Sequence, residues 1–305
     1  MSDEAARFFF PPTLDDGPCL FARHDGHSAI KHLRARSVET GFADVVLQFN
    51  AIKMPQMNVS WIRDSMQASQ PQIRLFCIPH AGGGVSIFRT WADSLPAGVQ
   101  LCSIQLPGRE DRMADKPYDR WQALVWALAD VLAPHLKDLP FVFFGHSMGA
   151  LVSFELAREL RRRGMKGPEC LYVAGHRAPQ LPKTDPPVHH LPDAEFVDEL
   201  RRLEGTPRQV LEHEEMMQLL LPTLRADFTV CETYVYTNDP PLECPIVAIG
   251  GIKDSEVSRQ ELEAWRDQTG QDFTLWMLYG GHFFIHGAQG QLLKRLVADL
   301  ARFLP

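Results

Sequence analysis

From residue 73 onward, short apolar runs rich in β-formers alternate with stretches of helical period, and that order leaves few folds open. The runs fall at 73–78, 100–104, 141–144, 170–175, 245–250 and 273–278. Between them Trp121, Leu124, Val125, Leu128 and Leu132 follow the i, i+3, i+4, i+7 spacing of one helix face. Leu292, Leu293, Leu296, Val297 and Leu300 repeat it near the C-terminus. Strands separated by helices need crossover connections, which build a mainly parallel sheet covered on both faces. The chain is therefore expected to be an α/β protein.

Two regions depart from the alternation. Residues 1–72 show no sustained period, and their charges nearly cancel. That stretch is expected to be an irregular N-terminal extension, with 73–305 as the folded body. Met54, Met57 and Met66 leave room for a natural start further in. About seventy residues separate the fourth run from the fifth, far more than a normal connection. They carry helical patterns at 193–203, with Asp193 as N-cap, and at 212–234, in pieces around Pro222. An insertion at about 177–240, rich in Leu and Met at 216–221, reads as a helical lid.

Composition narrows the class. The chain is 45% hydrophobic and 23% charged, which excludes disorder for the bulk of it. Its 31 basic and 38 acidic side chains give a net charge of −7, arguing against a protein that works by neutralising nucleic-acid phosphates. No stretch approaches the roughly 20 apolar residues of a membrane-spanning helix, and no CxxC pair or zinc-like spacing occurs. Cys77, Cys102 and Cys170 lie inside apolar runs, as small buried hydrophobes do, and a reduced, cytoplasmic setting is expected.

The stretch F-V-F-F-G-H-S-M-G-A at 141–150 places G-x-S-x-G between an apolar strand and a helix. A strand-to-helix turn lifts the Ser147 hydroxyl above the sheet, and Gly145 and Gly149 remove side chains that would collide there. A serine needs a base. His282, in a glycine loop after the last strand, sits where an α/β sheet places its site. His286, four residues on, suggests packing more than a metal pair, since no HExxH accompanies it. The orienting acid is expected at Asp254, past the strand and glycine pair at 245–251. Asp227 and Asp239 are rivals in the same interval, but neither follows a core strand. Backbone N–H groups of Met148 and of Ala81, in P-H-A-G-G-G at 79–84, are the expected oxyanion donors. A phosphate loop is the rival for those glycines, but neither GK[ST] nor GxGxxG is present.

These residues, with further segments, resemble the type II (external, editing) thioesterases of polyketide and non-ribosomal peptide synthesis. Oleoyl-acyl-carrier-protein hydrolases are similar too. The segments are C-I-P-H-A-G-G-G at 77–84, Q-L-P-G-R-E at 105–110, F-G-H-S-M-G at 144–149, L-P at 191–192, G-T-P at 205–207, L-P-T-L-R-A-D-F at 221–228 and G-G-H-F-F at 280–284. The resemblance implies an α/β-hydrolase fold and a triad of Ser147, Asp254 and His282. It further implies hydrolysis of acyl thioesters on the phosphopantetheine arm of acyl or peptidyl carrier domains, with no cofactor of its own, by a monomer. Residues 1–72 lie outside it. A fatty-acyl chain terminator, a small-ester carboxylesterase and a non-catalytic hydrolase-fold scaffold are the alternatives. The lid's Leu and Met side chains would line an acyl channel. Arg158, Arg161, Arg162, Arg163 and Lys166 form either a solvated helix end or a docking patch for an acidic carrier.

Overall fold

The computed structural model describes residues 61–64, 70–183, 185–203 and 205–304. Of the expected extension at 1–72, residues 1–60 and 65–69, with Met54, Met57 and Met66, lie outside the described residues.

Among the described residues seven strands form one sheet: β1 (Ile62–Asp64), β2 (Ile73–Ile78), β3 (Val99–Ile104), β4 (Phe141–His146), β5 (Leu171–Ala174), β6 (Ile246–Gly251) and β7 (Phe273–Leu278). Their spatial order is β1-β3-β2-β4-β5-β6-β7. Every neighbouring pair from β3 to β7 is parallel. β1 alone runs antiparallel, setting Ile62 opposite Ile104 and Asp64 opposite Cys102. This strand corrects the expected boundary: part of the stretch read as an irregular extension belongs to the sheet. Three residues are too few to show a period of two, so the sequence pattern could not announce it.

Period-two alternation sorts each strand onto two cores. On one face Phe76, Ile78, Phe141, Phe143, Leu171 and Val173 pack with helices α1 (Trp121–Leu132) and α2 (Met148–Arg162). Leu75, Cys77, Val142, Phe144, Tyr172 and Ile249 face the opposite way. They meet Phe88, Trp91 and a C-terminal helix, Gln289–Leu300, which presents Leu292, Leu293, Leu296 and Leu300. Burial on both faces explains why the strands read as continuous apolar runs. Cys77, Cys102 and Cys170 are buried among these side chains, as expected.

The insertion between β5 and β6 carries α3 (Asp193–Leu203) and α4 (Glu214–Glu232). Asp193 is the first helical residue, one position inside its expected cap, and its carboxylate pairs with Arg225 at 2.5 Å. Helix α4 runs unbroken through Pro222. Pro222 is exposed there, so water can take the carbonyl that loses its intrahelical donor. The insertion has its own small core of Phe196, Leu200, Val210, Leu211, Met217 and Leu224.

Candidate active site

Parallel strands bring their carboxyl ends to one edge of the sheet, and the loops that leave there meet. Ser147 follows β4 at φ 51° and ψ −116°, a backbone state that L-residues rarely adopt. A Cβ on Gly145 would lie 2.1 Å from the Gly149 carbonyl oxygen, and one on Gly149 would lie 2.1 Å from that of Ile78. The first contact closes the turn, and the second seats it against the end of β2.

His282 Nε2 lies 3.1 Å from Ser147 Oγ, and His282 Nδ1 lies 3.1 Å from Asp254 Oδ2. Three residues from three loops thus form a continuous chain, with the Asp254 carboxylate fully buried. Backbone N–H groups of Glu256 and Val257 donate to Asp254 Oδ1 at 2.9 and 3.1 Å, which fixes the orientation of the carboxylate. The Asp and His loops are themselves joined by the Lys253 N–H donating to the Gly280 carbonyl at 2.8 Å. Gly251 allows that approach, since a Cβ there would stand 2.5 Å from the Gly280 oxygen. The rival acids lie elsewhere: Asp227 pairs with Arg109, and Asp239 with Arg158 and Arg161.

Met148 opens α2, so its N–H has no carbonyl within the helix. Ala81 and Ser147 line the same cleft. The N–H groups of Gly82, Gly83, Val85 and Ser86 are committed to Asp227, the His80 carbonyl, Gln105 and Glu110.

Two histidines buttress this arrangement: His80, which the sequence suggests is structural or pocket-lining, and His146, to which it assigns no role. His146 donates through Nε2 to the His282 carbonyl at 2.9 Å, which leaves its Nδ1 to accept from His80 Nδ1, 3.3 Å away. Burial holds both neutral: it pushes the His80 imidazole down to about 3 and His146 well below the ordinary range, with His286 and His282 adding to the shift. His146 is the first x of G-x-S-x-G, but a bond to a backbone carbonyl leaves no mark on the sequence.

Lid side chains close the cleft, leucines among them as expected. Leu200, Leu203, Leu224 and Phe228 line it, together with Phe283. Met216 and Met217 pack in the lid's own core, and Leu219 is exposed. Of the lid's Leu and Met side chains, the leucines at 200, 203 and 224 thus line the cleft, and on α4 the lining begins a turn after Leu220. The basic cluster is not a free patch either. Arg158 is buried against Glu155, Arg162 and Arg163 pair with Glu159, and Lys166 pairs with Glu169.

Comparison with known proteins agrees with the fold. A family model described as a thioesterase domain matches residues 73–300. The gramicidin S biosynthesis protein GrsT of Aneurinibacillus migulanus is 48% identical over 240 residues, covering 79% of this chain and 93% of the relative. Thioesterase PikA5 of Streptomyces venezuelae is 39% identical over 226 residues, 74% of this chain and 80% of its own. Among solved structures, the type II thioesterase BorB from the borrelidin biosynthetic cluster superposes with a TM-score of 0.71 at 38% identity, covering 80% of this chain and 98% of its own. The sheet, its helical insertion and the matched span make this chain a member of the thioesterase-domain family, serine hydrolases of thioesters on an α/β-hydrolase fold.

Proposed function

We propose that Ser147, His282 and Asp254 hydrolyse acyl thioesters held on the phosphopantetheine arm of acyl or peptidyl carrier domains, clearing aberrant acyl groups from a polyketide or non-ribosomal peptide synthetase. The observation that carries the reading is the Asp254–His282–Ser147 chain at the floor of a cleft roofed by the lid. The named roles of the relatives supply the substrate class. His282 takes the Ser147 proton as Oγ attacks the thioester carbonyl. The Ala81 and Met148 N–H groups stabilise the oxyanion, and the arm leaves as its thiol, protonated by His282. Water activated by the same imidazole then releases the acid and restores Ser147. Thiolate is a good leaving group and both proton transfers fall to His282, so this chemistry calls for no cofactor of the enzyme's own. A monomer suffices, since all these groups come from one chain. A cytoplasmic setting belongs to the same proposal, as the compartment in which carrier-bound intermediates are processed; no helix among the described residues is long and apolar enough to cross a membrane.

Acyl-loaded carrier domains incubated with wild type and with Ser147→Ala, followed by intact mass, test the proposal. Wild type should shed the acyl group and the variant should not. Turnover of small oxygen esters without loss from the carrier would make the protein an esterase instead. A marked preference for long fatty-acyl chains would favour chain termination.

A further inference from the structure

The segment that carries Ala81 has little regular structure, yet side chains from elsewhere hold most of its backbone. Gly82 N–H donates to Asp227 Oδ2 at 2.7 Å, and Arg109 Nη1 donates to the Gly83 carbonyl at 3.2 Å. Val85 N–H donates to Gln105 Oε1 and Ser86 N–H to Glu110 Oε1, each at 3.1 Å. Gln105 Nε2 donates in turn to the Arg109 carbonyl at 2.8 Å. At the centre, Arg109 and Asp227 make a two-pronged ion pair of 2.7 and 2.8 Å. They are only 4% and 2% exposed, so water does not compete for either charge.

Asp227 belongs to the lid. It sits on α4 between Leu224 and Phe228, both of which line the cleft above Ser147. Leu224 packs so closely on the loop that a Cβ at Gly82 would lie 2.5 Å from its Cδ2. A buried ion pair is a poor device for stability alone, because desolvation offsets much of its attraction. Its geometry offers another use: one carboxylate oxygen, Oδ2, accepts from both Arg109 and the residue next to Ala81.

We propose that Asp227, held by Arg109, is a positioning residue that sets the Ala81 N–H for the oxyanion and makes lid helix α4 and the oxyanion loop move as one body. The inference rests on the serine-hydrolase mechanism above and extends it to selectivity. An acyl group that packs against Leu224 and Phe228 steadies α4, hence Asp227, hence the loop. One that leaves those side chains uncovered binds without gaining the full oxyanion contact. Discrimination then falls on kcat more than on KM.

The test compares Asp227→Asn, which keeps the shape and loses the charge, with the double variant Arg109→Met/Asp227→Leu, which removes both buried charges together. Three quantities are measured: kcat and KM on an acyl N-acetylcysteamine thioester, the Kd of an alkyl boronic acid whose tetrahedral adduct on Ser147 needs the oxyanion donors, and Tm. For Asp227→Asn, kcat should fall about 10- to 100-fold while KM stays within about threefold, with boronate affinity falling alongside kcat. The double variant should regain Tm and keep the low kcat, and it decides the matter if Asp227→Asn does not fold. Recovery of kcat together with Tm, or a folded Asp227→Asn with kcat within about threefold of wild type, would overturn the proposal. A wild type that neither turns over the thioester nor binds the boronate would overturn the hydrolase reading beneath it.

Discussion

Ser147 keeps its strained backbone because glycines on either side let three chain segments touch, and this part of the site was legible in the sequence. G-x-S-x-G between an apolar strand and a helix states a local geometry, and glycine loops after later strands locate His282 and Asp254. His146 and His80 were not legible in that way, since their partners are a backbone carbonyl and each other across 66 residues of chain. Their burial has a measurable consequence. Each imidazole is neutral in the native state with a pKa depressed below its unfolded value, near 6.5. As pH falls below that value the unfolded chain takes up protons that the native protein refuses, so native stability is present above about pH 6.5 and declines on acidification. For His80 the decline continues towards about 3. Each histidine contributes a limiting slope of about 1.4 kcal/mol per pH unit. Urea midpoints between pH 8 and pH 5 should show that decline, to which burial of His176 and His286 adds, so His80→Gln should remove roughly a quarter to a third of it. An unchanged slope in the variant would mean that His80 is not the group being protonated.

At the scale of the element, α2 shows how charge along a sequence can mislead. Its C-terminal run of arginines resembles a binding surface, yet each has an acid beside it from its own turn or from a neighbouring loop. Arg158 is the extreme case: buried, it spans Glu155 and Asp239 and donates to the Thr237 carbonyl at 2.6 Å. Tyr234 OH also donates to Glu155, so α2 and the chain leaving the lid share one polar knot. Removing Arg158 strands a buried carboxylate, and Arg158→Ala should cost about 3–5 kcal/mol in denaturant unfolding. Lys166 and Glu169 form an exposed pair of the kind worth at most about 1 kcal/mol. Lys166→Glu should therefore leave both stability and turnover of carrier-bound substrate within about twofold. A loss of turnover on carrier-bound thioester alone, with small thioesters unaffected, would restore the docking role to this helix end. The lid teaches a related lesson. Its helices were readable from period, but which face meets Ser147 depends on how α4 lands on the oxyanion loop, and no local pattern encodes that.

Across the whole molecule, the strands that carry the site run six residues each and are plain in the sequence, while β1, which guards one edge of the sheet, is short and silent. Without β1 the outer edge of β3 would present unpaired N–H and C=O groups to other chains. The same segment reaches towards the site. Trp61 accepts the Gln105 N–H on its carbonyl at 2.8 Å, and its ring lies 4.2 Å from the Arg112 guanidinium. Arg112 Nη1 in turn donates to the Gln105 carbonyl at 3.0 Å. Gln105 is one of the clamps on the oxyanion loop, so edge protection and site geometry share a residue. A chain beginning at residue 70 keeps Ser147, Asp254 and His282 but loses both functions of this segment. Compared with a chain beginning at residue 60, it should melt at lower temperature, scatter light on heating, and show a reduced kcat on a small thioester with little change in KM. Equal melting and clean monodispersity in both would mean that β3 protects its own edge. Equal kcat would mean that Gln105 holds the loop without help from Trp61.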